Sequence, residues 1–397
     1  MKGEIKVDKI TVLLVGGGGY GSVYLHELLH KKRGEEYQLV GVVDPYIENC
    51  KYIDELHERN IPFYNTLEDF YSENTAQLAL IATPIFLHGV QSRYCMEHGS
   101  HVLCEKPICA TVEDANAMQA VRDKSGKKLG IGFQGCYSDA ILKLKEDLLN
   151  GVYGKIKRIR TLVYFPRALE YYQRSSGWAG KKCLPSGEWI LDAVASNATA
   201  HYLQNMLFLA GKSYNETCEP QSMQAEVYRA NPIEMYDTCA LRIDTEEKIE
   251  VLFYATHAVP MDKGCAPEMI LEAEKGTVIQ RNGKLKGKME DGTEIVYGDP
   301  YSDGLKTLDY MKEAILFDNP LPCELETAMS HLKCVYAVAQ SFPEPPAFKE
   351  GWIQYIDDPA QYICKGLEET LEQCWKEAKL PYEMQYEWAL EPQYIEL

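Results

Sequence analysis

Residues 12–21 read Val-Leu-Leu-Val-Gly-Gly-Gly-Gly-Tyr-Gly. An apolar, strand-like run breaks into a glycine cluster and then into a helical pattern. Gly16, Gly18 and Gly21 match G-x-G-x-x-G, with Gly19 and Tyr20 inside the same turn. The first glycine of such a motif permits a tight strand-to-helix turn. The second lets the backbone approach a pyrophosphate, and the third lets helix and strand pack closely. The helix N-terminus then offers free N–H groups to an anion. A glycine-rich turn without a ligand is the competing reading, so the expected partners decide.

One partner follows at the expected distance. Residues 38–43 form a second apolar strand ending in Asp44, 23 positions after Gly21. A carboxylate there accepts hydrogen bonds from ribose hydroxyls and repels a 2′-phosphate. The pairing predicts an NAD site, with NADP disfavoured. A turn or N-cap role before Pro45 is the alternative for Asp44.

At 397 residues the chain has room for two domains. A net charge of −18 argues against nucleic acid and anionic membranes as partners, because phosphate binding needs clustered Lys and Arg. Nothing at the N-terminus resembles a signal peptide, and no run reaches a membrane span. The 13 cysteines contain no C-x-x-C pair and read as reduced, mostly buried thiols of a cytoplasmic protein.

His26-Glu27-Leu28-Leu29-His30 is a literal H-E-x-x-H zinc motif. It lies on the helix launched by the glycine turn, where Val23, Leu25, Leu28 and Leu29 are needed against the sheet. No third ligand follows at a matching spacing, so no metal is expected and both histidines are expected to face solvent.

Strands alternate with helices through residue 150, which predicts a doubly wound parallel sheet. Strands are expected near 10–15, 38–43, 78–82, 101–104 and 129–133, and helices near 20–32, 48–58, 87–98, 111–124 and 137–150. After Gly154 strand-like runs follow one another without helices, which predicts a large, mostly antiparallel sheet. They lie at 156–165, 223–229, 237–243, 248–257, 268–273, 276–281 and 293–297, with helices at 303–317 and 324–341. The expected domains are 1–135 (nucleotide binding, Rossmann), 136–345 (α+β, substrate binding) and 346–397, an acidic, aromatic-rich extension. So many Trp and Tyr argue against a disordered tail and for one that wraps over the body or joins an interface.

Two further strand ends carry chemistry. Ile81-Ala82-Thr83-Pro84, with His88 four residues beyond the proline, ends one strand. Val102-Leu103-Cys104-Glu105-Lys106-Pro107 ends another. In this order the motifs resemble the Gfo/Idh/MocA oxidoreductases, which include glucose–fructose oxidoreductase and inositol dehydrogenase. The resemblance covers roughly residues 8–345. It implies that Lys106 sits beside the nicotinamide and the reacting hydroxyl, where burial should lower its pKa. It also implies that Thr83, Pro84, His88, Glu105 and Gln134 border the cofactor.

The family carries Asp-x-x-x-His near the start of a helix in its second domain. Judged by the apolar run to Gly211, His201 takes the histidine position and Asn197 the acid position. On a continuous helix that spacing puts both on one face. His201 would take the hydroxyl proton; Asn197 can hydrogen-bond a hydroxyl but cannot act as a base. Asp192 is close in sequence but off the helical spacing. The resemblance further places Tyr137, Tyr164, Arg167, Trp178 and Lys182 around a sugar pocket, and the stretch from Cys323 to His331 reads as structural.

The implied function is NAD-dependent oxidation or reduction at a secondary alcohol carbon of a sugar, sugar derivative or cyclitol. Asn197 keeps open a redox-neutral elimination or hydrolysis that uses tightly bound NAD transiently. A non-catalytic ligand-binding regulator is the third reading, disfavoured by the intact Glu105-Lys106-Pro107 and His201. The implied assembly is a homodimer or homotetramer, since the family's second-domain sheet often pairs subunits.

Overall fold

The computed structural model describes residues 9–174 and 177–397. The polar N-terminal residues 1–8 lie outside the described part. The chain divides into two compact units. Residues up to 109, 113–132 and 307–325 make the first; 110–112, 133–306 and 326–397 make the second.

Six strands form the sheet of the first unit: β1 (Ile10–Val15), β2 (Tyr37–Val43), β3 (Phe63–Tyr64), β4 (Leu78–Ile81), β5 (His101–Cys104) and β6 (Leu129–Ile131). All pairs are parallel, in the order β3-β2-β1-β4-β5-β6. This is the expected doubly wound sheet. Its strand order reverses between β1 and β4, which is where such sheets bind ligands. The strands are continuous apolar runs because helices cover both faces.

The helix Gly21–His30 buries Gly21, Tyr24, Leu25 and Leu28. That i, i+3, i+4, i+7 stripe leaves Val23 off the buried face and 40 % exposed, against the expectation that it packs on the sheet. His26 and His30 are exposed; His26 contacts the Tyr52 hydroxyl at 3.1 Å and His30 contacts Glu55 at 3.0 Å. Strand β3 and the helix Leu67–Glu73 were not anticipated. The helix starts on a reciprocal capping box between Thr66 and Asp69.

Residues 307–325 return to the first unit. Arg33 grips Asp309 with two bonds of 2.7 Å, and the Tyr37 hydroxyl donates to the Leu308 carbonyl. Beyond β6, the Ile131 N–H donates to the Cys323 carbonyl at 3.0 Å.

Nine strands form the sheet of the second unit. They are β7 (Ile156–Tyr164), β8 (Pro220–Tyr228), β9 (Thr238–Thr245), β10 (Glu250–Thr256), β11 (Cys265–Ala273), β12 (Gly276–Arg281), β13 (Lys284–Met289), β14 (Glu294–Gly298) and, after the hairpin β15 (Ile353–Asp357)–β16 (Ala360–Cys364), β17 (Gln393–Glu396). The order is β14-β13-β12-β11-β7-β10-β9-β8-β17, and only β7 and β10 run parallel.

Alternation sorts the sheet's two faces. Leu162, Tyr164, Tyr228, Leu252 and Tyr254 pack under the C-terminal segment, against Leu367, Leu371, Trp375, Leu380 and Trp388. The helix Leu367–Glu377 turns Leu367, Leu371, Cys374 and Trp375 inward. Burying such side chains contributes roughly 2 kcal/mol each. Segment 346–397 therefore wraps one sheet face and adds β17 to its edge.

The helix Ala200–Leu209 also packs on β7 and β10. Its C-terminus is held by a fully buried lysine. Lys145 Nζ donates to the carbonyls of Phe208, Gly211 (2.9 Å) and Glu216 (3.0 Å). A cation there meets the negative end of the helix dipole. Among the described residues, no helix is long and apolar enough to cross a membrane. All 13 cysteines are free, and all but Cys183 and Cys265 are buried.

Candidate active site

The glycine loop follows from the crowding around it. Gly16 has φ +92°, and a Cβ there would lie 2.8 Å from the Ala82 carbonyl oxygen. A Cβ on Gly21 would lie 1.9 Å from the Gly16 carbonyl oxygen. Neither position tolerates a side chain. Gly18 and Gly19 differ, since nothing lies within 4 Å of where their Cβ would be. The loop is thus tight where it turns and open at its middle, as a backbone cradle for phosphates requires. Tyr20 precedes the helix and meets Tyr24 edge-on at 5.4 Å.

Asp44 is tied to this loop. Its Oδ2 accepts the Gly17 N–H at 2.8 Å and its Oδ1 accepts the Tyr46 N–H at 2.9 Å. Each oxygen keeps acceptor capacity for a further donor.

The ends of β4 and β5 are fastened together. His88 is buried, with Nδ1 2.8 Å from the Pro107 carbonyl and Nε2 2.9 Å from the Thr83 carbonyl. Burial pushes its pKa down. Both ring nitrogens face backbone, so His88 braces the strand ends. The Thr83 hydroxyl donates to Gln91 at 2.6 Å, and Pro84 opens the helix Ile85–Glu97. Glu105 is buried and accepts the Tyr24 hydroxyl at 2.7 Å and the Lys106 N–H at 3.3 Å. Burial raises its pKa to about 7. A Cβ on Gly132 would lie 3.0 Å from a Glu105 carboxylate oxygen, so a side chain there would press on it. Lys106 is half-buried, next to this braced turn.

In the second unit the structure corrects the continuous helix expected through Asn197 and His201. Leu191 has φ +54°, a π-type turn spans Val194–Ala198, and the α-helix begins only at Ala200. This irregular stretch brings Asp192 to Asn197. Asn197 Nδ2 donates to Asp192 Oδ1 at 2.8 Å, and the Gly180 N–H donates to Oδ2 at 2.7 Å. Asp192 is buried and Asn197 half-buried. Helical spacing set Asp192 aside; the wider turn restores it. The Asn197–His201 argument from one regular helix face lapses with the same turn.

His201 stands edge-on to Phe133 at 5.9 Å. Phe133 also meets His331 at 5.3 Å; His331 is buried and contacts the Ala195 carbonyl at 3.0 Å, bracing the π-type turn. Gln134 and Tyr137 lie on the 3₁₀ turn Gln134–Tyr137; Gln134 is half-buried and Tyr137 fully buried.

The remaining expected pocket residues separate. Tyr164 belongs to the face under the C-terminal segment, where its hydroxyl donates to the Glu368 carbonyl at 2.5 Å. As the last residue of β7 it points away from its neighbours in sequence. The Lys182 ammonium lies 5.3 Å from the Trp189 ring. Arg167 and Trp178 fall in one stack with Tyr171 and Arg174, two residues that the sequence reading missed.

Residues 10–133 match the model of an oxidoreductase family with an NAD-binding Rossmann fold, Gfo/Idh/MocA. Over this stretch the chain is similar to the Gfo/Idh/MocA oxidoreductases. Among curated relatives it is similar to scyllo-inositol 2-dehydrogenase (NADP(+)) of Bacillus subtilis, 26 % identical over 48 % of this chain and 52 % of that one. It is also similar to 2,7-anhydro-N-acetylneuraminate hydratase of Mediterraneibacter gnavus, 29 % identical over 35 % of this chain and 36 % of that one. The matched part thus spans about half of the first relative's length and less of the second's. Among solved structures, a WlbA dehydrogenase of Chromobacterium violaceum in complex with NADH and UDP-GlcNAcA shares the fold. Its TM-score is 0.70 at 21 % identity, covering 85 % of this chain and 94 % of that one.

Proposed function

We propose that this chain is an NAD-dependent oxidoreductase acting at a secondary alcohol carbon of a sugar, sugar derivative or cyclitol. One observation carries the reading. The glycine loop, Asp44, Thr83-Pro84 and Glu105-Lys106 all leave the carboxyl ends of neighbouring parallel strands, where open α/β sheets bind ligands. NAD, when bound, supplies or accepts the hydride. The loop Gly16–Gly21 would hold its pyrophosphate, with Gly18 leaving room for close approach. Asp44 would accept from the ribose hydroxyls and repel a 2′-phosphate, which favours NAD over NADP.

The chain's own groups manage the proton. Lys106, held at the turn that Glu105 and His88 brace, contributes a cation to hold the substrate oxygen. In the second unit His201 takes the hydroxyl proton during oxidation and returns it during reduction. Asn197, oriented by Asp192, is a hydrogen-bonding group for a neighbouring hydroxyl. Lys106→Ala should bind NAD yet lose turnover in a screen of polyols and glycosides for NADH formation. Full activity in that variant would remove this mechanism.

A redox-neutral variant of the same chemistry is favoured by Asn197 at the acid position and by the likeness to a hydratase. It requires NAD that copurifies and turnover without net NADH. We place the enzyme in the cytoplasm on its free, mostly buried thiols. A homodimer or homotetramer would have to use surfaces other than the sheet face covered by residues 346–397.

A further inference from the structure

A short segment of the second unit builds a ladder of alternating rings and guanidinium groups. The Arg167 guanidinium lies 4.5 Å from the Phe165 ring and 4.1 Å from the Tyr171 ring. The Arg174 guanidinium lies 4.2 Å from the same Tyr171 ring and 4.0 Å from the Trp178 ring. Stacking fixes the planes of both guanidinium groups and leaves their edges for hydrogen bonding.

Arg174 also hydrogen-bonds the Tyr171 side chain, but part of each edge is left over. Arg167 Nε, Arg174 Nε and Arg174 Nη2 are buried without a hydrogen-bond partner. Among the described residues, neither arginine has a carboxylate within ion-pair distance. On the sheet, Arg160 pairs with Glu272, and Arg242 with Glu250 and Glu383. In a chain with net charge −18, two uncompensated arginines side by side need a reason. They line a cleft of ≈ 370 Å³ with Pro166, Ala168, Tyr171 and Met261. Glu170 also lines this cleft, but it is exposed. Asp192, which holds Asn197, lies within electrostatic range of both Arg167 and Tyr171.

We propose that Arg167 and Arg174 form a subsite for an oxyanion, carboxylate or phosphate, carried by a polyhydroxylated ring. Planar guanidinium edges pair with two oxygens of such a group at once. The stacked aromatic faces fit the apolar face of a sugar ring, and the Asp192–Asn197 pair offers groups for its hydroxyls. The substrate class narrows from sugars and cyclitols to acidic sugars or sugar phosphates. This deepens the dehydrogenase reading and rests on it for the reacting end of the molecule.

The test is isothermal titration of NAD-loaded protein with D-glucose, D-glucuronate and D-glucose 6-phosphate. It compares wild type, Arg174→Met and Arg174→Lys, with thermal melts to verify folding. At least one charged sugar should bind wild type about tenfold tighter than glucose, and which one separates carboxylate from phosphate. In Arg174→Met the preference should collapse toward unity, and Arg174→Lys should keep part of it. If Arg174→Met melts early, raising salt on wild type supplies the same reading, since it should erode the preference. The subsite is overturned if glucose binds as tightly as both charged sugars, if none binds, or if the preference survives in Arg174→Met. NADH formation in the same samples tests the dehydrogenase reading separately. A charged sugar bound through Arg174 without hydride transfer would keep the subsite and remove the dehydrogenation.

Discussion

Asp192 holds Asn197: the asparagine amide donates to Asp192 Oδ1 at 2.8 Å, while the Gly180 N–H fixes the other carboxylate oxygen. The carboxylate missing at position 197 is therefore present one side chain away. It orients the amide. Asp192→Ala should release that amide and lower kcat by about a hundredfold, the scale of a misplaced positioning group. Asp192→Asn, which keeps a hydrogen-bonding side chain, should lose less, and NAD affinity should stay unchanged in both. Equal kcat in wild type and Asp192→Ala would show that the pair has no part in turnover.

Asp44 governs the cofactor preference. With both oxygens already aligned by the N–H groups of Gly17 and Tyr46, its charge is fixed beside the glycine loop. Asp44→Ala should weaken NAD binding and raise relative affinity for NADP, read as the ratio of the two dissociation constants. An unchanged ratio would remove the ribose role of Asp44.

The glycines should separate into two kinds. Gly21→Ala forces a Cβ into the Gly16 carbonyl and should cost about 3 kcal/mol of stability, visible as a lower Tm without cofactor. Gly18→Ala meets open space. Its Tm without cofactor should match wild type, while NAD binding weakens. Equal Tm losses in the two variants would mean that the loop is not shaped as described.

Glu105 sets a pH dependence. Burial raises its folded pKa to about 7 from an ordinary 4.5. A carboxyl raised in this way contributes stability that is complete below the unfolded value and is lost as pH rises through 7. Glu105→Gln imitates the neutral acid and keeps an acceptor for the Tyr24 hydroxyl. The Tm of this variant, relative to wild type, should climb between pH 5 and pH 8. A flat difference would mean that Glu105 is ionised in the folded chain throughout.

Removing residues 346–397 should uncover the sheet face formed by Leu162, Tyr164, Tyr228, Leu252 and Tyr254. Light scattering should then report self-association. Within the intact chain, Trp375→Ala should cost about 3–5 kcal/mol, measured by denaturant unfolding. A truncated chain that stays dispersed and melts like the full one would contradict this packing.

The first unit was readable because its parallel strands are unbroken apolar runs and its strand ends carry glycines, acids and prolines in a fixed order. Asp44 and Glu105-Lys106-Pro107 fall where that order puts them, at carboxyl ends of β2 and β5. The helix Leu67–Glu73 went unread although Thr66 and Asp69 spell a capping box, because its apolar stripe is only two residues long. The second unit hid more. Periodicity arguments assume 3.6 residues per turn, so the π-type turn at Val194–Ala198 displaced Asp192 from every helical template. Tyr164 could not be assigned a face without knowing that the C-terminal segment covers one side of β7. The ladder did leave a trace: Arg167, Tyr171, Arg174 and Trp178 repeat at 4-3-4 spacing, alternating cation and ring. None of its four residues is distinctive taken singly.

The return of residues 307–325 to the first unit has a consequence for how the chain is made. Arg33 and Tyr37 find their partners Asp309 and Leu308 276 and 271 residues further along the chain, and β6 finds its neighbour at Cys323. A ribosome at ordinary speed delivers about 5–20 residues each second. The glycine loop therefore emerges early but waits roughly 15–60 seconds for the strap that completes its domain. During that interval the edge at β6 is open to any passing strand.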